Sequence, residues 1–389
     1  MKILVVAPQP FYTERGTPIA VRLLVTTLCE AGHEVDLLAF HEGEDIWLDG
    51  LTISRTAAFP FLKHIPIGFS WKKLLCDVLI TAKMFRFMIR KRYDVIHAVE
   101  EVVFPAVILK RVFHRRVVYD MDSSLSEQLI EKWAWLSRIR WLLDGMERFA
   151  IRGADAVLPV CPYLADKVRS CAAEKLVQVL EDPPLRASEE GAWKEDLRNI
   201  FGIDEVFVLY VGNLEEYQGI DLLLAAMATV ALDSSMQLVV IGGGGRGLQR
   251  YRDKVRDLGL SRIVHLPGPR PVAALSFYLA QADILVSPRL RGGNTPMKIY
   301  SYLASGRAIL ATKTPSHTQV LDDRCALLVD PTAEAVSRGL RRLATDQKLR
   351  VSLGCEARRR AEVEYSESAY RRKLLDAYSR LTNEAAWRE

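Results

Sequence analysis

Apolar positions along the chain alternate between two rhythms. Short β-rich runs stand at 2–7, 34–40, 95–98, 117–120 and 156–160, and helical patterns lie between them. The clearest helix is 19–31, where Val21, Leu24, Val25 and Leu28 recur on one face and Gly32 supplies a stop. After about position 205 the scheme restarts. Strands are expected at 206–211, 237–241, 263–266, 284–287, 308–311 and 326–329. Helices are expected over 220–231 and from the glycine run 242–245 to about 258. Residues 181–205, with Pro183, Pro184 and many charges, read as a linker, and 367–381 as an amphipathic helix rich in Arg and Lys.

Strands alternating with helices imply βαβ units and parallel sheets. The expected class is therefore α/β, with two Rossmann-like domains in series, 1–182 and 183–366. A length of 389 residues suits two cores. With 49% hydrophobic and 26% charged residues, the composition excludes a disordered or collagen-like chain. Six scattered cysteines without a CxxC pair point to reduced thiols, and seven histidines without an HExxH pattern point to no structural zinc. The opening MKILVVAP is too short for a signal peptide core and reads as a buried strand. The longest apolar region, 74–89, is interrupted by Asp77, Lys83 and Arg86, so no bilayer-spanning helix is expected and the chain is placed in the cytoplasm.

The formal net charge of +5 is unevenly spread. Residues 55–116 carry 13 Lys and Arg against 4 Asp and Glu, a net +9 that leaves −4 for the rest. On a helix over 70–92, Trp71, Leu74, Leu75, Val78, Ala82, Phe85 and Ile89 form a stripe expected to pack on the sheet. The other side carries Lys72, Lys73, Lys83, Arg90 and Lys91 with Ile80, Met84 and Phe87. A basic face interleaved with large apolar groups suits an anionic membrane surface. Lys72, Lys73, Phe87, Arg90 and Lys91 are its candidate contacts, and FPFLKHIPIGF before them is a candidate acceptor channel. The competing reading is an ordinary flanking helix with a solvated basic edge. No recognised motif supports nucleic-acid binding.

Ligands of open parallel sheets sit beyond the carboxyl ends of the strands, so the loops there carry the chemistry. In the loop PQPFYTERGTP, Gly16 lets backbone amides approach an anion at a helix N-terminus, or is a plain turn glycine. The segment SPRLRGGNTPMKIYSYLASG offers Arg289, Arg291, Gly292 and Gly293, followed by Asn294 and Thr295, both good N-cap types. Lys298 falls in a first helical turn, where a cation opposes the macrodipole unless an anion neutralises it. That points to a phosphate site, and the competing reading is a snorkelling lysine. Glu100, Glu101, Asp120 and Asp122 follow two strands. They could orient acceptor hydroxyls or stabilise a cationic sugar, or simply cap helices, as Asp122-Ser123-Ser124 would. His97 in a strand, by itself, reads as a core histidine.

In order and spacing, these segments resemble a retaining glycosyltransferase of the GT-B fold, family 4. The resemblance is carried by GTPIAVRLLVTTLCEAGHEVDLL, YDVIHAVEEVVFPA, ERFAIRGADAVLPV, LYVGNLEEYQGIDLLLAAM, PGPRPVAALSFYLAQADILVSP and YSYLASGRAILAT. It implies two domains facing across a cleft, with the C-terminal helix (about 367–389) returning to the N-terminal domain. It also implies a nucleotide-diphosphate sugar donor held by the C-terminal domain, an acceptor on the N-terminal domain, and neither metal nor cofactor. By position, Gly16 and Thr17 would face the diphosphate and sugar, and His97 the transferred sugar. Pro267 to Pro271, near Arg270, would border the base. The loop Arg289 to Lys298 would hold phosphates, and Ser301 would face the ribose.

The departures are specific. Where the family has Arg and Lys in its first donor-domain loop, this chain has Asn213 and Gln218. Where it has two glutamates, this chain has Gly293 and Ser301, and a second histidine is replaced by Val99. Either Arg289, Arg291 and Lys298 replace the missing cations, or donor binding is altered or lost, leaving a pseudoenzyme. The expected function is transfer of a sugar from a nucleotide donor to a glycan or lipid-linked acceptor at the cytoplasmic membrane face, with retention. The alternatives are a catalytically silent scaffold for glycan assembly or a sugar-nucleotide epimerase.

Overall fold

Strand β1 (Lys2–Val6) is buried at every residue after the first, as an interior strand of a parallel sheet must be. In the computed structural model, which describes residues 1–13, 16–62, 65, 70–185, 193–230 and 236–386, β1 pairs in parallel with β2 (Glu34–Ala39) on one side and β4 (Val95–Val99) on the other. Helix α1 (Gly16–Glu30) makes the first crossover. Edge strand β3 (Leu51–Arg55) and helix α2 (Trp71–Arg90) follow β2. Beyond β4 come α3 (Val103–Phe113), β5 (Arg116–Met121), α4 (Leu125–Lys132), α5 (Arg140–Gly153), β6 (Ala156–Pro159), α6 (Pro162–Cys171) and β7 (Leu176–Val177). The seven strands lie in the order β3-β2-β1-β4-β5-β6-β7.

The second sheet repeats the design. It contains β8 (Val206–Val211), β9 (Met236–Ile241), β10 (Val264–Gly268), β11 (Ile284–Ser287), β12 (Ala308–Thr312) and β13 (Leu327–Val329), in the order β10-β9-β8-β11-β12-β13. The helices in order are α7 (Leu197–Phe201), α8 (Ile220–Val230), α9 (Gly245–Asp257), α10 (Leu275–Gln281), α11 (Lys298–Ser305), α12 (Pro315–Thr318), α13 (Ala333–Thr345) and α14 (Gln347–Glu364). Alternate residues of β8 feed the two faces: Phe207 and Leu209 join one core, Val208 and Tyr210 the other.

The chain divides into two compact units, Met1–Glu181 with Arg371–Glu389, and Asp182–Tyr370. The last helix, α15 (Glu367–Ala386), joins the first unit from Arg371 onward. There Arg371 pairs with Glu30 and Lys373 with Glu181, and the buried Tyr378 ring lies between His33 and His97. All six cysteines are free thiols. Among the described residues, no helix is long and apolar enough to cross a membrane, and no cluster could hold a metal.

Three readings of the sequence are corrected. Strands β3 and β7 were missed, being a short edge strand and a two-residue one. β10 runs through Pro267, which an edge strand tolerates because one side of it makes no ladder bonds. The third concerns α2, whose orientation is the reverse of the expected one. Cys76, Ile80, Met84 and Met88 pack on the core, while Trp71, Leu74, Val78, Phe85 and Ile89 are exposed. The helix has two apolar faces, and periodicity alone does not say which one the sheet takes. The rotation also removes much of the expected basic face. Lys73 pairs with Glu101 and Asp77, Lys91 pairs with Asp36, and Phe87 is half-buried against the core. Lys72 is half-buried and Arg90 exposed. The candidate channel segment lies partly outside the described residues, at 63–64 and 66–69.

Two glycines test the packing. A Cβ at Gly354 in α14 would stand 2.1 Å from Gly306 O, against the turn after α11, whereas one at Gly145 in α5 meets nothing within 4 Å. Gly354→Ala is expected to destabilise by about 1–3 kcal/mol through overpacking. Gly145→Ala is expected to be neutral or to stabilise by up to about 1 kcal/mol through helix propensity. Denaturant midpoints of the two variants check both.

Candidate functional site

Each sheet reverses its strand order once, between β1 and β4 in the first unit and between β8 and β11 in the second. Crevices open at such switch points, beyond the strand carboxyl ends. In the second unit the loops after β8 and β9 meet backbone to backbone. Gly242 has φ 120°, and a Cβ there would fall 2.0 Å from Gly212 O. A cleft of about 500 Å³ opens between these loops and the end of β10, lined by Gly212, Asn213, Gly242, Gly243, Pro269 and Arg270. Arg270 is held in a bidentate pair by Glu195, 2.7 and 2.6 Å from its two oxygens, and the Tyr278 hydroxyl donates to the same carboxylate at 2.5 Å. The Arg270 guanidinium keeps the Glu195 carboxyl below its usual range.

Lys298 is the first residue of α11. Its Nζ donates to Gln218 Oε1 at 3.1 Å and lies 4.0 Å from the centre of the Tyr210 ring, close against Gly212. No carboxylate pairs with it among the described residues. Part of the side chain reaches solvent, but dense packing around the ammonium, reinforced by the nearby Arg289 charge, holds its pKa well below the usual lysine value. The Tyr210 hydroxyl donates to Asn213 O at 2.7 Å and to Gln218 Oε1 at 3.3 Å, so Asn213 and Gln218 belong to the same cluster as Lys298.

The remaining predicted donor residues surround this cluster unevenly. Arg289 stacks over the Tyr217 ring and donates to Arg291 O and Asn294 O. Gly292, with φ 116°, leaves room for that guanidinium: a Cβ there would fall 2.4 Å from Arg289 Nη2. Gly293 O accepts from Gln319 at 2.7 Å. Arg291 is exposed. Asn294 and Thr295 do not cap α11, whose cap residue is Met297 without a side-chain bond, because the helix begins three and two residues later, respectively, than their N-cap roles require. Thr295 Oγ1 is instead buried with no partner among the described residues. Ser301 is buried, and its Oγ accepts from Leu185 N at 3.3 Å.

Sequence reasoning missed His317, on α12 after β12. It is fully buried, with Nδ1 2.8 Å from Thr312 O and Nε2 2.9 Å from Ser287 Oγ, beneath the Arg289 loop. Burial, with the nearby Lys298 and Arg289 charges, holds its pKa down to about 4. No spacing marks it in the sequence. The only signal is a histidine shortly after a strand.

In the first unit, Gly16 opens α1 as an exposed residue and Thr17 is half-buried. Glu100, just after β4, has φ 51°, a left-handed conformation a non-glycine residue rarely takes. Burial pushes its carboxyl up, Lys73 pulls against that, and Asp120 pushes with it. Ser123 donates to it at 3.4 Å. His97 has no exposed surface. Its Nδ1 lies 2.8 Å from the Tyr378 hydroxyl and its Nε2 3.2 Å from Asp120 Oδ2, so both ring nitrogens are engaged within the unit. Asp122 is half-buried two residues before Ser124, and it is Ser124 that caps α4.

Two Rossmann-like units of this order define the GT-B architecture. Residues 15–179 match the family model described as glycosyl transferase 4-like domain, and residues 194–360 the model described as glycosyl transferases group 1. The chain belongs to this glycosyltransferase family. It is 28% identical over 180 residues to D-inositol 3-phosphate glycosyltransferase of Corynebacterium kroppenstedtii, covering 44% of this chain and 40% of that protein. The chain spans about two fifths of the length of the curated relatives it matches. Sucrose-phosphate synthase from Thermosynechococcus elongatus superimposes with a TM-score of 0.79 at 20% identity, over 98% of this chain and 99% of that one. HepE from Anabaena in complex with UDP gives 0.73 at 14% identity, over 97% and 100%. At these identities the likeness is one of fold.

The buried His317 gives a stability test. Its folded pKa of about 4 lies below the ordinary value near 6.5, so the unfolded chain binds the extra proton between them. Stability is full above about pH 6.5 and falls as pH drops towards about 4, by on the order of 3 kcal/mol. In urea titrations across that range, His317→Gln should lose this component of the slope, whatever its effect at neutral pH.

Proposed function

We propose that the chain is a glycosyltransferase. Its second unit binds a nucleoside-diphosphate sugar, and its first unit presents a glycan or lipid-linked acceptor at the cytoplasmic face of a membrane. One observation carries this reading: the Lys298 ammonium, at a strand-order switch point, is enclosed with neutral partners and an arginine neighbour. A diphosphate would supply the missing negative charge, and the unpartnered Thr295 hydroxyl would supply a further donor to it. The positions where the family has cations are Asn213 and Gln218, and Gln218 here accepts a hydrogen bond from Lys298. The cation therefore reaches the same place from α11, which favours replacement over loss of the donor site. The nucleotide base would lie along Pro267 to Pro271, with Arg270 fixed by Glu195. Ser301, buried and bonded to Leu185 N, would face the ribose from within the fold.

No metal is needed in this scheme, because fixed cations and helix-end amides neutralise the departing diphosphate. In the first unit, Gly16 and Thr17 at the start of α1 would face the diphosphate and sugar. Glu100, held with a raised pKa in a strained conformation, would meet the acceptor hydroxyl or the sugar's developing charge, and Asp122 would serve the same chemistry. His97 is a positioning residue that fixes Asp120. Retention of the anomeric configuration follows the family resemblance.

Incubation with UDP-, GDP- and ADP-sugars separates the readings. Slow donor hydrolysis supports a transferase and interconversion of sugars an epimerase, while no thermal shift with any nucleotide supports a silent scaffold. Lys298→Ala should weaken nucleoside-diphosphate binding by about 1.5–3 kcal/mol, the scale of a charge-assisted contact. Unchanged affinity removes the phosphate assignment.

A further inference from the structure

The rotation of α2 leaves an apolar surface that the fold does not use. Trp71, Leu74, Val78, Phe85 and Ile89 follow one another along its outer side, spaced as a single helical stripe, and all are exposed. The surface continues onto α3. Phe85 meets Phe113 edge-on at 5.8 Å between ring centres, and Ile108 and Val112 of α3 are more than half exposed. It continues again onto α5, where the Arg111 guanidinium lies 5.9 Å from the Phe149 ring centre. On α5, Trp141, Leu142, Met146 and Phe149 form a second exposed stripe, with Trp141 at 71%. A soluble helix normally turns such a stripe inward. Here two helices turn one outward, and α3 bridges them.

The charges on these helices decide what the surface fits. Arg86 and Arg90 on α2, Arg111 on α3, and Arg148 and Arg152 on α5 are exposed and unpaired with any described carboxylate. The only carboxylates on the three helices, Asp77, Asp144 and Glu147, are half-buried or buried. The face is thus aromatic and aliphatic at its centre, and every fully exposed charge on the three helices themselves is a cation. A second copy of the chain fits poorly, because a two-fold contact would set these arginines against one another. A bilayer fits both features: its acyl boundary takes the Trp, Phe and Ile side chains, and its anionic headgroups take the arginines.

We propose that the α2–α3–α5 face is an interfacial membrane-docking surface, which lies in the headgroup region of an anionic bilayer and inserts Trp71, Ile89 and Trp141. It deepens the proposed function by naming the surface that brings the first unit to a lipid-linked acceptor, and it rests on that reading only for the acceptor. The attachment is hydrophobic as well as electrostatic. This differs from the basic edge of Lys73 and Lys91, whose ammoniums are committed to Glu101 and Asp36.

The test is sedimentation of the full chain with phosphatidylcholine vesicles, with and without phosphatidylglycerol, and tryptophan quenching by brominated acyl chains. The expected result is binding to the anionic vesicles with quenching. The triple variant Val78→Asn, Ile89→Asn, Trp141→Gln should bind roughly tenfold or more weakly, while its circular dichroism and thermal midpoint stay close to wild type. Three outcomes overturn the proposal: no binding of the wild type to anionic vesicles, binding that the triple variant leaves unchanged, or a wild-type dimer that the triple variant converts to monomer. Nucleotide binding is measured on the same preparations without vesicles. Its absence would sink the transferase reading and leave the bilayer result standing, and the reverse result would spare the transferase reading.

Discussion

Lys298 Nζ stands 3.1 Å from a neutral amide oxygen and over a tyrosine ring, and no described carboxylate neutralises it. Enclosing an ammonium in this way costs free energy unless a partner is supplied. Much of the second unit is arranged around that constraint. Gly212 takes a positive φ and leaves out the side chain that would press on the ammonium, and Gly242 lets its own loop close against the Gly212 backbone. Tyr210 turns its ring to the cation and its hydroxyl to Asn213 and Gln218. Arg289 stays near through its stacking on Tyr217, and His317 beneath is kept neutral. This charge pattern is the observation on which the proposed diphosphate site rests.

The first unit is organised differently. Its switch point gathers carboxylates rather than cations: Glu100, Glu101 and Asp120 lie at the ends of β4 and β5, with Lys73 of α2 reaching in to pair with Glu101. His97 links this group to the C-terminal helix through Tyr378. That helix is tied down by Arg371–Glu30 and Lys373–Glu181. The histidine thus joins the shape of the carboxylate cluster to the seating of the last helix. The ring itself has no exposed surface.

The parallel sheets were legible because interior strands such as β1 and β8 are continuous apolar runs, and Lys298 stood out as a candidate because a lysine opening a helix is locally unfavourable without an anion. What remained hidden had physical causes. α2 carries two apolar stripes, and only the tertiary structure decides that Ile80 and Met84 go inside and Val78 and Phe85 outside. Asn294 and Thr295 are good caps by type, but the chain enters its helix at Lys298. The Gln218–Lys298 pair joins residues 80 positions apart, and no local spacing reports it. His317 belongs to no motif at all.

The central claim is that the enclosed Lys298 receives a diphosphate. In the free protein its pKa lies well below that of an ordinary lysine, and a bound anion raises it. Binding must then take up a proton, and affinity must fall as pH rises from the lowered pKa towards that of the complex. The most direct measurement is calorimetric titration of UDP, GDP and ADP in buffers of different ionisation enthalpy across that range, on wild type and Lys298→Met. The account predicts proton uptake and falling affinity with rising pH in the wild type, both lost in the variant. Wild-type binding without proton uptake, or uptake that persists in Lys298→Met, would contradict it.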